Sequence, residues 1–142
     1  LMKKNVVKKK IMSMFTDPNH LRVQDPGRVE GNPVFIYLDA FSRPEHFAEF
    51  LPEYQNLDEL KAHYQRGGLG DVKVKKFLNN VMQAELGPIR ERRKMWEQRT
   101  EDVFDILKAG TEVAREKAAA TLHDVRSSMR INYFEDQDFL NQ

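Results

Sequence analysis

A chain of 142 residues, 40% hydrophobic and 32% charged, is long enough to bury one core without covalent staples. It contains no cysteine, which excludes disulfides, thiolate metal sites and cysteine nucleophiles, and it has no apolar run near the ~18 residues of a membrane span. The formal net charge is only +1, so bulk charge does not announce a nucleic-acid partner; the basic residues instead cluster at 3–10, 73–76 and 90–94, and acids gather at 135–138. The basic start lacks the apolar stretch of a secretory signal. A cysteine-free, membrane-free chain suits the cytoplasm. Because a helical pattern sets in almost at once after Leu1, the chain reads as a piece of a longer protein.

In chain order, Val7, Ile11, Met14 and Phe15 recur at helical spacing and predict a short amphipathic helix over 6–15 with a lysine-rich outer face. Thr16-Asp17-Pro18-Asn19 stops it, since the residue before proline is pushed out of the α region. A loop follows, punctuated by Asp25-Pro26-Gly27 and Gly31-Asn32-Pro33. Asn32 is a good N-cap and Pro33 a good first helical residue, so Val34, Phe35, Leu38 and Phe41 mark a second helix to about residue 41. A third starts near Pro44 and carries Phe47, Phe50 and Leu51; a fourth runs from Leu57 to Arg66 and stops at Gly67-Gly68.

Asp71 then caps the longest helix, on which Val74, Phe77, Leu78, Val81, Met82, Leu86 and Ile89 keep one face apolar. Gly87-Pro88 predicts a kink there rather than a stop, because Ile89 and Trp96 continue the stripe. The next helix covers 101–109, with Val103, Phe104, Ile106 and Leu107 inward and Gly110 ending it. Thr111 caps a last helix that buries Ala114, Ala118, Thr121, Leu122, Val125 and Met129. An acidic tail, frayed, occupies 132–142. No segment alternates with period two. The fold class is all-α.

Catalytic constellations are missing from the sequence. Gly67-Gly68-Leu69-Gly70 lacks the lysine of a phosphate loop and reads as a helix–helix turn. His20, His46, His63 and His123 stand far apart, none with a partner at metal spacing, and no serine sits in a nucleophile elbow. The basic clusters admit two readings. In one, a rib on the long helix tracks phosphates. In the other it is a solvated face balanced by Glu85, Glu91 and Glu97. Tyr54, Tyr64, Trp96 and Tyr133 are the aromatics available for base stacking, although Trp96 also fits the core stripe.

Lys8-Lys9-Lys10-Ile11-Met12-Ser13-Met14-Phe15-Thr16-Asp17-Pro18 resembles a stretch of the tryptophanyl-tRNA synthetases, class I enzymes with a lysine-rich helix and a Thr-Asp-Pro-like turn after their mobile ATP-binding loop. The resemblance continues through Asp25-Pro26-Gly27, Glu30-Gly31-Asn32-Pro33-Val34-Phe35 and Tyr37-Leu38, then Tyr64-Gln65-Arg66-Gly67-Gly68-Leu69-Gly70-Asp71-Val72-Lys73. It resumes at Pro88-Ile89-Arg90-Glu91-Arg92-Arg93 and at Ala109-Gly110, Ala114-Arg115-Glu116-Lys117-Ala118, Thr121-Leu122 and Val125-Arg126. Nearly the whole chain before Asn132 is covered, and the order of the pieces is more specific than any one of them.

This resemblance implies three parts: a junction helix and loop over 1–32, a helical bundle-like anticodon-binding domain over 33–131, and the tail. It implies a parent enzyme that activates tryptophan with ATP (and Mg) and attaches it to its tRNA, with those cofactor sites and all catalytic residues in an absent catalytic domain. The fragment alone is then inactive and holds no cofactor or metal. Its partners are tryptophan tRNA and its own catalytic domain, in a parent that is homodimeric, with no DNA and no membrane. Lys73, Lys76, Arg90 and Arg93 become the tRNA-contact candidates, with Arg66 as a further one. The competing reading is a helical protein-interaction module, in which Phe47, Phe50 and Phe139 supply the apolar contact. A small helical enzyme is disfavoured by the missing acid–base and metal constellations.

Overall fold

The apolar spacing resolves into six helices in a computed structural model that describes residues 3–133: α1 (Lys4–Met12), α2 (Pro33–Phe41), α3 (Pro44–Phe50), α4 (Leu57–Arg66), α5 (Asp71–Glu97) and α6 (Thr100–Ser128). Among the described residues there is no strand. Most of the 132–142 tail, including Phe139, lies outside them. The described chain divides after Arg93 into two units. That point falls inside α5 and inside the 33–131 stretch that the sequence reads as one domain.

The first unit holds the core. Periodicity marked Val7 and Ile11 from α1, Val34, Phe35 and Leu38 from α2, Phe47 from α3, and Val74, Phe77, Leu78 and Val81 from α5; α4 adds Leu60 and Tyr64, which it did not mark. Ring pairs knit them, with Phe35 and Tyr64 centroids 4.9 Å apart and Phe47 and Phe77 4.7 Å apart. Each fully buried Leu or Phe adds ~1.5–3 kcal/mol, as an upper bound. Caps fix the starts: Asn32 Oδ1 accepts from the Val34 amide at 3.0 Å and Asn56 Oδ1 from the Glu59 amide at 3.0 Å.

α1 ends three residues earlier than its stripe suggests, and Phe15 is 66% exposed rather than inward. At this end Lys75 Nζ donates to the carbonyls of Met12 at 3.3 Å and of Met14 at 2.7 Å, one on the last helical residue and one just beyond it. Beyond it, Asp17 organises the loop: one carboxylate oxygen accepts from the Asn19 amide and the other from the Arg28 amide, 2.9 and 2.8 Å away.

The turn between α4 and α5 needs its glycines. Gly67 has φ +89, and a Cβ there would stand 2.3 Å from the Gln24 carbonyl oxygen; Gly68 has φ +98 and its amide donates to the Val23 carbonyl at 2.7 Å. Asp71 is the first helical residue of α5, but its carboxylate turns to other elements, accepting from the Tyr64 hydroxyl and the Thr16 hydroxyl at 2.6 Å each. Burial, and then the bond to Asp71, push the Tyr64 phenol well above its ordinary range.

Two expectations fail in α6. It is one helix of 29 residues, not two, and Gly110 lies in its interior without positive φ. A helical glycine costs only ~1 kcal/mol relative to alanine, too little to break a helix flanked by strong formers. Thr111 caps nothing, its hydroxyl donating back to the Leu107 carbonyl at 2.7 Å. The faces assigned inward are also not buried: no α6 residue is, Phe104 is 71% exposed, and Leu107, Leu122, Val125 and Met129 are exposed too. Periodicity identifies an amphipathic face but not whether anything covers it. α5 runs unbroken through Pro88, so that proline does not act as a stop.

Candidate nucleic-acid interface

All five candidate cations lie in the first unit. Lys73 and Lys76, in the first two turns of α5, line one open groove of about 640 Å³ together with His20, Arg22, Val23 and Asp71. The loop that follows α1 supplies the first wall and the start of α5 the second. Lys76 also lines a smaller recess of about 230 Å³ with Lys8, Met12, Asn79 and Asn80, so it is common to both concavities. The amides of Asn79 and Asn80 can donate to and accept from base edges.

The other candidates are placed differently. Arg66 is the exposed last residue of α4. Arg90 is half-buried, and its Nη1 donates to Gln83 Oε1 at 2.8 Å. Arg93 is exposed. At 100° and 1.5 Å per residue, Lys76 and Arg90 stand ~40° apart around the helix and ~21 Å apart along it, whereas Lys73 and Arg93 stand ~160° apart. Lys76 and Arg90 therefore face one side of α5 but stand ~21 Å apart, each with an i±3 neighbour, Lys73 or Arg93, set ~60° around the helix.

Lys73 is also spoken for. Its Nζ pairs with the Glu53 carboxylate and sits 5.7 Å from the centroid of the Tyr54 ring. The hydrogen bond to Lys73 holds the Glu53 carboxyl below its ordinary range, and the same bond raises the Lys73 ammonium. Glu85, expected to balance the rib, turns instead to α3, accepting from Arg43 Nη2 at 3.0 Å and lying 3.6 Å from His46 Nε2.

Two of the stacking aromatics are unavailable, since Tyr54 and Tyr64 are buried. Trp96, read as core, is only half-buried and outside the core cluster, with Arg99 over its ring at 5.2 Å. Tyr133 is exposed. Phe47, an apolar contact in the interaction-module reading, is buried in the core, and Phe50 packs partly against it.

The sequence places Lys75 only within the basic cluster at 73–76 and His20 only among four scattered histidines, and does not mark Arg22. Lys75 had a legible signal: one turn before Leu78, it borders the buried stripe of α5. His20 and Arg22 sit in a loop, where no periodicity indicates what is buried. Among the described residues no group of three His, Asp or Glu could hold a metal ion, and no helix is long and apolar enough to cross a membrane.

No family model matches the chain. Curated proteins do. The chain is 56% identical over 130 residues to the tryptophan–tRNA ligase of Clostridium longisporum, 52% to that of Streptococcus mutans serotype c and 51% to that of Lactococcus lactis subsp. lactis. Each alignment covers 92% of this chain but 36% of the relative, so the chain spans little more than a third of the proteins it matches. Over the region matched, this all-helical chain belongs to the tryptophan–tRNA ligase family.

Proposed function

We propose that the chain is the tRNA-reading helical part of a tryptophan–tRNA ligase that activates tryptophan with ATP and Mg in a separate catalytic domain. The carrying observation is the 56% identity over 92% of the chain, at 36% of the relative's length. In this reading the chain has no catalytic role of its own. It binds the anticodon arm of tryptophan tRNA and works in the cytoplasm, beside its catalytic domain in a homodimeric parent. The geometry supports contact through Lys76 and Arg90, which share one side of α5, while Arg66, Lys73 and Arg93 extend the basic surface to either side. The exposed apolar side chains of α6, Phe104 and Leu107 among them, are surface a catalytic domain would cover.

Charge reversal tests the interface. Lys76→Glu with Arg90→Glu should weaken tRNA binding by about tenfold or more and lower the salt dependence by ~1 for each lost phosphate contact. Unchanged affinity in a variant with wild-type circular dichroism would overturn the assignment of these residues. Arg90→Gln, which can still donate to Gln83, separates loss of charge from loss of that internal bond.

A further inference from the structure

We propose that the seam between α1 and α5 holds one nucleotide of an RNA strand, its phosphate between Lys8 and Lys76 and its base edge on Asn80. Two anchors set the seam: Lys75 Nζ donates to the Met12 carbonyl, and Gln83 Nε2 donates to the Lys4 carbonyl, each at 3.3 Å. The anchors stand ~12 Å apart along either helix, in opposite chain directions, so α1 and α5 lie side by side and antiparallel. Lys8 and Asn79 fall midway, and there the seam opens into the recess of about 230 Å³ that Lys76, Asn80 and Met12 also line. Val7, Ile11 and Leu78, on the same stretch of the two helices, are buried, so the recess is carried on packed core.

The charges call for an anion. α1 carries four lysines and no acidic residue. Lys61, Arg43 and Lys73 are each matched by a carboxylate, Asp39, Glu85 and Glu53 in turn. Among the described residues neither Lys8 nor Lys76 has an ion pair, and no carboxylate lines the recess. Two ammoniums facing one recess from different helices repel, and a phosphodiester between them turns that repulsion into attraction. The carboxamides select a base over a bare anion. Asn79 Oδ1 accepts from Gln83 Nε2 at 3.2 Å, while the half-buried Asn80 has neither amide group engaged among the described residues. A carboxamide offers a donor beside an acceptor, the complement of the N6 and N7 edge of adenine. At about 230 Å³ the recess is below the ~300–1,000 Å³ of sites for drug-sized ligands, a size for one unstacked base of a single strand. The inference rests on the tRNA reading and adds to it a base-reading residue, Asn80, and a contact on α1, Lys8.

The experiment titrates the full chain with trinucleotides of adenosine and of uridine at constant ionic strength. Side-chain carboxamides are followed by 1H–15N correlation, with Asn80 assigned through Asn80→Ala. Saturable movement of the Asn79 and Asn80 amides, with Asn19 and Asn56 still, is the expected result, the adenosine strand binding about fivefold tighter. Lys8→Ala should weaken both strands alike and lower the salt slope by ~0.7, and Lys8→Arg should restore both. Asn80→Ala should bring the two strands to equal affinity. Adenosine monophosphate separates the sources: weaker binding than the trinucleotide supports an RNA strand, and tighter binding, which identifies a free nucleotide, overturns it. Asn79 and Asn80 amides that stay still with every probe overturn the recess, and so does undiminished affinity in Lys8→Ala. Alanine is a strong helix former at both positions, so each variant should keep the wild-type circular dichroism. Whole tRNA keeps the two ideas apart. If Lys8→Ala and Asn80→Ala bind it as tightly as wild type, the recess is wrong and the tRNA reading stands; if wild type does not bind it, that reading fails and the trinucleotides still decide the recess.

Discussion

Lys75→Met isolates the contact that joins α1 to α5. The substitution keeps an unbranched apolar stem in place of a lysine that is 8% exposed, and removes only the ammonium that donates to Met12 and Met14. Hydrogen bonds to a charged group are worth ~1.5–3 kcal/mol each; the short one at 2.7 Å is counted as ~2 and the long one at 3.3 Å as ~1. About 1 kcal/mol returns because the variant no longer fixes a lysine side chain or desolvates its charge, leaving a net loss of ~2 kcal/mol. Urea unfolding followed by far-ultraviolet circular dichroism reads the total, and hydrogen exchange at the amides of Ile11 and Ser13 reads the location. Faster exchange confined to α1, with the α4 amides less affected, fits a local clip. A variant within 0.5 kcal/mol of wild type and unchanged at α1 would show that water replaces Lys75 at those carbonyls, and the argument would fail.

Gly67→Ala should destabilise the first unit by ~3 kcal/mol or more, since it combines positive φ with a Cβ 2.3 Å from the Gln24 carbonyl oxygen; stability within 1 kcal/mol of wild type contradicts this. Gly110→Ala should do the opposite, raising the stability of α6 by ~0.5–1 kcal/mol, because Gly110 is helical with open space around its Cβ position; a loss of helicity on thermal melting would mean the helix stops there after all. Glu53→Gln releases Lys73 from its ion pair and should raise the affinity of the chain for tRNA severalfold at low salt, with the stability of the chain little changed because the pair is exposed. In the wild type the sign follows from the Glu53 carboxyl being held low: the pairing is present above the ordinary carboxylate range and is lost as pH falls through the lowered value, while Lys73 stays charged. The Glu53→Gln chain should lack that acid-side change, and an identical pH response in both chains would refute it.

The fold was legible wherever local chemistry decides it. Asn32-Pro33 and Leu57 through Arg66 set helix limits that α2 and α4 match, because caps, a first-turn proline and a glycine pair act over a few residues. The buried stripe of α5 was equally readable. Long-range effects were not. α1 ends at Met12, where Lys75 from far along the chain bonds the Met12 and Met14 carbonyls, and Phe15 is turned out to solvent. Gly110 illustrates the reverse error, a local signal too weak to act against the helix around it. The site was half legible: charge clusters pointed to the start of α5, and Lys76 does line two concavities there. The pairing of Lys73 with Glu53 and the burial of His20 depend on tertiary placement, which no spacing rule encodes.

The most direct measurement of the central claim is the affinity of the chain for tryptophan tRNA at moderate salt, set against the same tRNA with its anticodon scrambled. Binding to the cognate form should be tighter by at least about tenfold and should fall steeply as salt rises. Equal affinity for the two tRNAs would contradict anticodon reading by this chain and leave its basic surface as a non-specific polyanion contact.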